Sequence, residues 1–424
     1  MGEVYRLKGH GRQPGDGPSS RSWRPDRRQD SKIALVLGGG GFTAGVYEIG
    51  ALRALDLLSV NRTVNQFDVY VGTSAGSLVA ALAANGVTPE YMMQVVDSGS
   101  PIPFRDGSMG MMLRPNYREF LAKGLQLPFA LAGLARTLGR VPTSFSPVDL
   151  AVALAEALPS GLYTGSGIEE YVRRILSEPD RSNDFRELSA ELYLAATDLD
   201  TCERVVLGGE GWDDVSIAAA VRASTAMPML YKPVELKGRT LVDGGISSST
   251  NVDLAVESGA KLIIVINPLV PFINDSSQEI RTLFGTRTRR VADMGPTKIG
   301  YQTFKLLVHS RLQHLAKDWE QRYPGVDIVL IEPDPDDELM FETNIMDYTA
   351  RLDVARHGFK SVTLKLANDY ERLNDISRRH GIEISPERVR QVVEHFTAQP
   401  ERRRGWKRIL EQTTGALVRQ SAGS

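Results

Sequence analysis

Two strand–turn–helix passages with glycine at the turn constrain this chain more than any other feature. The first is "KIALVL" from Lys32, four glycines from Gly38 to Gly41, and then Val46, Ile49, Leu52 and Leu55 at helical spacing. The second runs "FDVYVG" from Phe67 into "TSAGSLVAALAANG", a small-residue helix closed by Gly86. A buried strand, a tight turn and a helix, twice over, predict an α/β fold with a mostly parallel sheet covered by helices. "AELYLAATDLD" and "ERVVLGG" read as a hairpin, and "VELKGRTLVDGG" as two short strands about Lys237-Gly238. "SIAAAVRASTAMP" reads as a helix, "VDLAVESGAKLIIVINP" as a helix then a buried strand, and "VDIVLIEPDP" as a further strand.

A bare glycine backbone at a strand end serves either a phosphate cradle or an oxyanion hole. The cradle lacks its signature: no Gly-Lys-Ser/Thr follows, and a G-x-G-x-x-G register would put its last glycine on Thr43 or Ala44. "GTSAG", Gly72 to Gly76, matches G-x-S-x-G between a strand and a helix, the setting of a nucleophile elbow. Side chains at Gly72 and Gly76 would clash with the neighbouring strand and helix, and Ser74 would project from the strand's carboxyl end.

A serine nucleophile needs a base. None of the six histidines, His10, His309, His314, His357, His380 and His395, sits at a strand-to-loop junction. His309, His314, His357 and His395 fall in polar helical stretches and read as surface residues. "RTLVDGG" offers Asp243 after an apolar strand, with Gly244 and Gly245 to turn the backbone, although "DGG" alone is a common tight turn. Cys202, beside Glu203, reads as an ordinary chain residue.

In combination, "LGGGGFTAGVYEIG", "GTSAG" and "VDGG", in that order, resemble the patatin-like phospholipases. "AATDLDTCERVVL" and "VRASTAMPMLYKPVELKGRTLVDGG" are similar to that family's connecting segments. The resemblance covers Ile33 to Pro268, with "DIVLIEPDP" adding a later strand. It implies a three-layer α/β/α fold over residues 31–375 and a serine–aspartate dyad. Ser74 would be the nucleophile and Asp243 the base. The amides of Gly39, Gly40 and Gly41 would form the oxyanion hole, and neither metal nor cofactor is expected. The implied reaction is hydrolysis of a (lyso)phospholipid ester. A neutral-lipid esterase or thioesterase on the same dyad, or a catalytically inactive lipid-binding scaffold, are the alternatives. The family's loop usually carries arginine or lysine after its glycines. Here Thr43 stands near that position.

The net charge of -2 gives no argument for nucleic acid. A single cysteine excludes an internal disulfide and a multi-cysteine metal site and fits a reducing, cytoplasmic setting. Residues 1–30 are rich in Gly, Pro, Ser and Arg and read as a disordered basic tail without a secretion signal. Gly2 invites myristoylation, but Arg6 breaks that motif. No window reaches the length of a membrane span. The nearest, Leu121 to Val141, carries Lys123, Pro128, Arg136 and Arg140. Residues 100–176 read as a helical insertion whose Met109–Val141 part suits a lid or acyl channel. Residues 275–323 read as a polar helical insertion, and 376–424 as a helical, basic C-terminal extension. There, five basic residues between Arg402 and Arg408 stand with Trp406, Ile409, Leu410 and Leu417, which suits peripheral contact with an anionic inner membrane face.

Overall fold

The computed structural model describes residues 2–7, 31–98, 113–123, 158–274, 279–282, 285–288, 290–343 and 345–398. Its centre is a 9-stranded sheet. The strands are β1 (Val4–Arg6), β2 (Ile33–Leu37), β3 (Val69–Thr73), β5 (Glu191–Asp198), β6 (Arg204–Leu207), β8 (Val234–Leu236), β9 (Arg239–Asp243), β10 (Leu262–Ile266) and β13 (Asp327–Ile331). Two ribbons stand apart, β4 (Gly161–Tyr163) with β7 (Met229–Tyr231), and β11 (Glu279–Thr282) with β12 (Gly285–Thr288). The sheet order is β1-β13-β10-β2-β3-β5-β9-β8, with β6 also on β5. From β1 to β5 all neighbours are parallel, whereas β6 and β9 pair with β5, and β8 with β9, antiparallel. The two hairpins expected from the sequence are present.

β2, β3, β10 and β13 are buried at every residue, as parallel strands covered on both faces must be. Alternation along them then feeds two cores. Ile33, Leu35, Leu37, Ile264 and Ile266 face the larger core, and Ala34, Val36, Ile263, Val265 and Ile328 the smaller. The larger one is roofed by α1 (Gly41–Leu58), α2 (Ala75–Ala84), α3 (Pro89–Ser98), α4 (Ser166–Leu176) and α5 (Ile217–Ser224). The smaller lies under α6 (Val252–Glu257) and α7 (Pro296–Arg322), which contribute Val252, Ala255, Leu312 and Trp319. The remaining helices are α8 (Glu338–Glu342), α9 (Arg351–Asn368), α10 (Tyr370–Arg379) and α11 (Pro386–Ala398). α9 crosses α1 closely, since a Cβ at Gly50 would meet the Ala355 carbonyl at 2.2 Å.

Three expectations about organisation need correcting. The first residues are not wholly a tail: Val4–Arg6 pair with Ile328–Leu330 and Leu7 is buried, because "VYRL" has the alternation and β propensity an edge strand needs. Residues 8–30 lie outside the described set. Residues 275–323 are not all helical. β11 and β12 pair there, with β-branched Ile280, Thr282, Thr286 and Thr288 at alternate positions. The boundary at 375 falls inside α10, and Leu373, Ile376, Ile382 and Val389 all pack into the larger core, so the chain to residue 398 is no appendage. Of the lid segment only residues 113–123 are described, with 117–123 helical and Tyr117 and Leu121 exposed. The basic run after residue 400 lies outside the described residues. Among the described residues no helix is long and apolar enough to cross a membrane.

Candidate active site

The sheet changes direction at β2, whose neighbours are β3 on one side and β10 on the other. Crevices at the carboxyl ends of strands around such a point are where α/β sheets hold ligands. The glycine loop leaves β2 there, and the "GTSAG" turn leaves β3 beside it.

Ser74 sits between β3 and α2 at φ 55, ψ -124, a backbone conformation that costs energy for a side-chain-bearing residue. The turn closes only because its flanks are glycine. A Cβ on Gly76 would lie 2.5 Å from the Gly38 carbonyl oxygen, and one on Gly72 2.6 Å from Ser77 Cα. The strain is held by hydrogen bonds. The Ser74 amide donates to Ser224 Oγ at 2.9 Å, and Ser224 Oγ donates to the Ala195 carbonyl at 2.6 Å. Ser224, at the end of α5, thus clips the turn to β5. Ser77 Oγ donates to the Ser74 carbonyl at 2.5 Å.

Asp243 ends β9 opposite Ala196, so one strand, β5, separates it from β3. Gly244 lets the backbone turn tightly over β5, since a Cβ there would meet the Ala195 carbonyl at 2.2 Å. Ser74 and Asp243 reach toward each other across β5, and Ser74 Oγ donates to Asp243 Oδ2 at 2.5 Å. The second carboxylate oxygen accepts from the Gly245 amide at 2.7 Å. Both residues are 4% exposed. Burial pushes the Asp243 carboxyl up to about 6, against the two hydrogen bonds. Among the described residues no cation pairs with it. The result is a carboxylate that can both take and return a proton near neutral pH.

The glycine loop lies against this pair. A Cβ on Gly39 would sit 3.1 Å from Ser74 Cβ. Gly40 caps α1 at φ 141, a region that favours glycine. The Gly38 amide is spent on the Ile266 carbonyl at 2.9 Å. The amides of Gly39, Gly40 and Gly41 have no backbone acceptor among the described residues, as expected at the start of a helix. All seven residues singled out from the sequence, Gly39, Gly40, Gly41, Gly72, Ser74, Gly76 and Asp243, therefore come together. Among the described residues no histidine joins them. His309 pairs with Glu332, His357 with Asp337 and His380 with Asp327, and His380 is buried.

Residues that were not anticipated complete the site. Ile345 faces the loop, with its carbonyl accepting from Thr43 N at 3.3 Å, and Tyr301 Oη donates to the Gly40 carbonyl at 3.3 Å. Behind Tyr301 the buried Lys305 ammonium lies 4.8 Å from the ring centroid, and burial lowers its pKa to about 8. A cavity of about 850 Å³ opens beside Asp243, walled by Met227, Phe304, Leu307, Leu312 and Leu315. α7 supplies the largest single share of that wall. Tyr301, Phe304, Val308, Leu312, Leu315 and Trp319 recur at helical spacing, a stripe visible in the sequence behind the helix's many charges. Among the described residues no cluster of His, Cys, Asp and Glu could hold a metal ion.

A family profile described as patatin-like phospholipase matches residues 35–256. The chain is 22% identical over 224 residues to a "probable lipid hydrolase 463L" of Invertebrate iridescent virus 6, covering 53% of this chain and 63% of that protein. It is 28% identical over 241 residues to the "uncharacterized protein YjjU" of Escherichia coli K12, covering 56% of this chain and 52% of that one. The chain thus spans between half and two thirds of the length of these curated relatives. Among solved structures, VipD from Legionella pneumophila is similar at 15% identity and a TM-score of 0.37, covering 80% of this chain and 67% of that one.

Proposed function

The chain belongs to the patatin-like phospholipase family, and from that premise we propose that it hydrolyses the carboxylic ester of a lipid, a phospholipid or lysophospholipid, through Ser74 and Asp243. The observation that carries this reading is the 2.5 Å hydrogen bond from Ser74 Oγ to a buried, uncompensated Asp243 carboxylate beside an apolar cavity.

The chemistry follows from that geometry. Ser74 Oγ attacks the acyl carbonyl as Asp243 takes its proton. The carbonyl oxygen becomes an oxyanion facing the amides of Gly39, Gly40 and Gly41 and the amino end of α1, where each such donor is typically worth about 10²–10³ in rate. The ester C–O bond breaks, the proton passes from Asp243 to the leaving alkoxide, and an acyl-Ser74 ester remains. Water then attacks that ester as Asp243 takes a proton from it. The fatty acid leaves, and the proton returns to Ser74 Oγ. The backbone donors require no side chain, so threonine near the family's basic position leaves this sequence of steps intact. The lipid substrate brings the protein to a membrane surface as a peripheral, cytoplasmic enzyme.

Fluorophosphonate labelling of the full chain tests the reading. Wild type is expected to label, Ser74→Ala to lose labelling completely, and ester hydrolysis to fall with it by about 10⁴-fold or more. A folded wild type that does not label in the presence of vesicles would make the protein a lipid-binding scaffold instead.

A further inference from the structure

The apolar cavity beside Asp243 shares a wall with a second, more polar cleft of about 710 Å³. Pro228, Ile246, Ser247, Ser248, Thr250, Arg311 and Leu315 line both. Arg311 is the one charged side chain common to the two. It stands on α7, with Leu312 and Leu315 of the apolar wall beside it in the helix. Eleven residues on, three helical turns and roughly 16 Å along the same face, Arg322 lines the polar cleft as well.

The charges around that cleft do not cancel. Its carboxylates are already engaged: Asp253 holds Arg204, with Nη2 2.6 Å from the carboxylate, and Asp198 holds Arg239 at 3.1 Å. Among the described residues neither Arg311 nor Arg322 forms an ion pair. The cleft therefore presents uncompensated cations where an apolar cavity of single-ligand size opens into it. The glycine loop has no cation of its own, with Thr43 near the family's basic position.

On the strength of the reading that Ser74 cleaves lipid esters, the geometry points to Arg311 as the residue that binds the phosphodiester of a single-chain phospholipid. The acyl chain occupies the cavity under α7, the ester lies at Ser74, and the phosphate is held at Arg311 on the polar side. A guanidinium suits a phosphate because it donates two parallel charge-assisted hydrogen bonds. Selectivity for phospholipid over neutral glyceride is then set by α7 rather than by the glycine loop.

The test compares two substrates that share the palmitoyl glycerol ester and differ in the phosphoglycerol head group, palmitoyl lysophosphatidylglycerol and monopalmitoylglycerol, with wild type, Arg311→Gln, Arg311→Lys and Ser74→Ala. Arg311→Gln is expected to raise KM for the lysophospholipid at least about tenfold with little change in kcat. Arg311→Lys is expected to recover part of the loss, and monopalmitoylglycerol cleavage to stay within about twofold of wild type in both Arg311 variants, whereas Ser74→Ala loses both activities. Equal effects on both substrates, or none on either, would overturn the assignment of Arg311. So would a wild type that cleaves only the neutral lipid. If Ser74→Ala keeps full activity on either lipid, it is the nucleophile assignment that fails, separately from this one.

Discussion

The sheet carries a hydroxyl–carboxylate arrangement at each end of its strands, and the two are opposites. At the carboxyl ends Ser74 donates directly to Asp243. At the amino ends Ser31, just before β2, lies 2.5 Å from His380 Nδ1, and His380 Nε2 lies 2.6 Å from Asp327 Oδ2 at the start of β13. The second set has the side chains of a Ser-His-Asp triad, yet it is built to hold still. Burial alone would raise the Asp327 carboxyl, but the His380 hydrogen bond and the Arg379 guanidinium outweigh it and keep the carboxyl below its usual range. The Glu3 amide donates to the same carboxylate at 2.7 Å. A carboxylate so compensated has little affinity left for a proton. Asp243 has two hydrogen bonds and no cation, so burial acts on it unopposed by charge and leaves it basic. Residue types alone do not separate a reactive pair from a clasp. Charge compensation and an adjoining cavity do.

Removing one member of each arrangement should therefore give opposite results. Asp243→Asn is expected to lower kcat by about 10²–10⁴, the range of a lost general base. Wild-type kcat/KM should rise with pH to a plateau above about 6, where Asp243 ionises. A flat profile from pH 4 to 8 would break the assignment. His380→Ala should cost about 3 kcal/mol of stability in urea titrations, because Ser31 and Asp327 each lose a buried partner. Its kcat/KM should stay within about twofold where it is folded, and a folded but inactive variant would erase the contrast. The effect that vanishes with pH is the most diagnostic. The folded state binds the Asp243 proton more tightly than the unfolded chain, whose value is 3.8. The ionised group therefore opposes folding. That cost is absent below about pH 4, grows between the two values and is full above about 6. Asp243→Asn should thus stabilise the fold by up to about 3 kcal/mol at pH 7, and by nothing at pH 3.5.

The elbow and the glycine loop were legible because their constraints are local. Gly72 must clear Ser77, four and five residues decide the turn, and the pattern repeats that spacing. Asp243 was legible as a strand-end carboxylate, but its partner 169 residues away had to come from the family resemblance. Ser224 had no signal, being a small residue in a small-residue helix whose task, bridging Ser74 to Ala195, is set by the sheet order. His380 was passed over for the same reason, since Asp327 lies 53 residues back and only the fold brings them together. α7 was readable in principle. Its stripe from Tyr301 to Trp319 has helical period, but Lys298, Lys305, Arg311, Lys317 and Asp318 make the segment look solvated throughout.

The recognisable family segment stops at residue 256, and the site does not. Tyr301 and Ile345 steady the glycine loop, α7 walls the cavity, and β10 and β13 extend the sheet beyond β2. The proposed reactive pair and the cavity beside it thus have separate addresses along the chain. A fragment trimmed to the shared segment would keep both reactive side chains and lose the chamber. Divergence can accordingly redraw what such a protein accepts by rewriting its second half, while every residue that identifies it to its relatives stays in place.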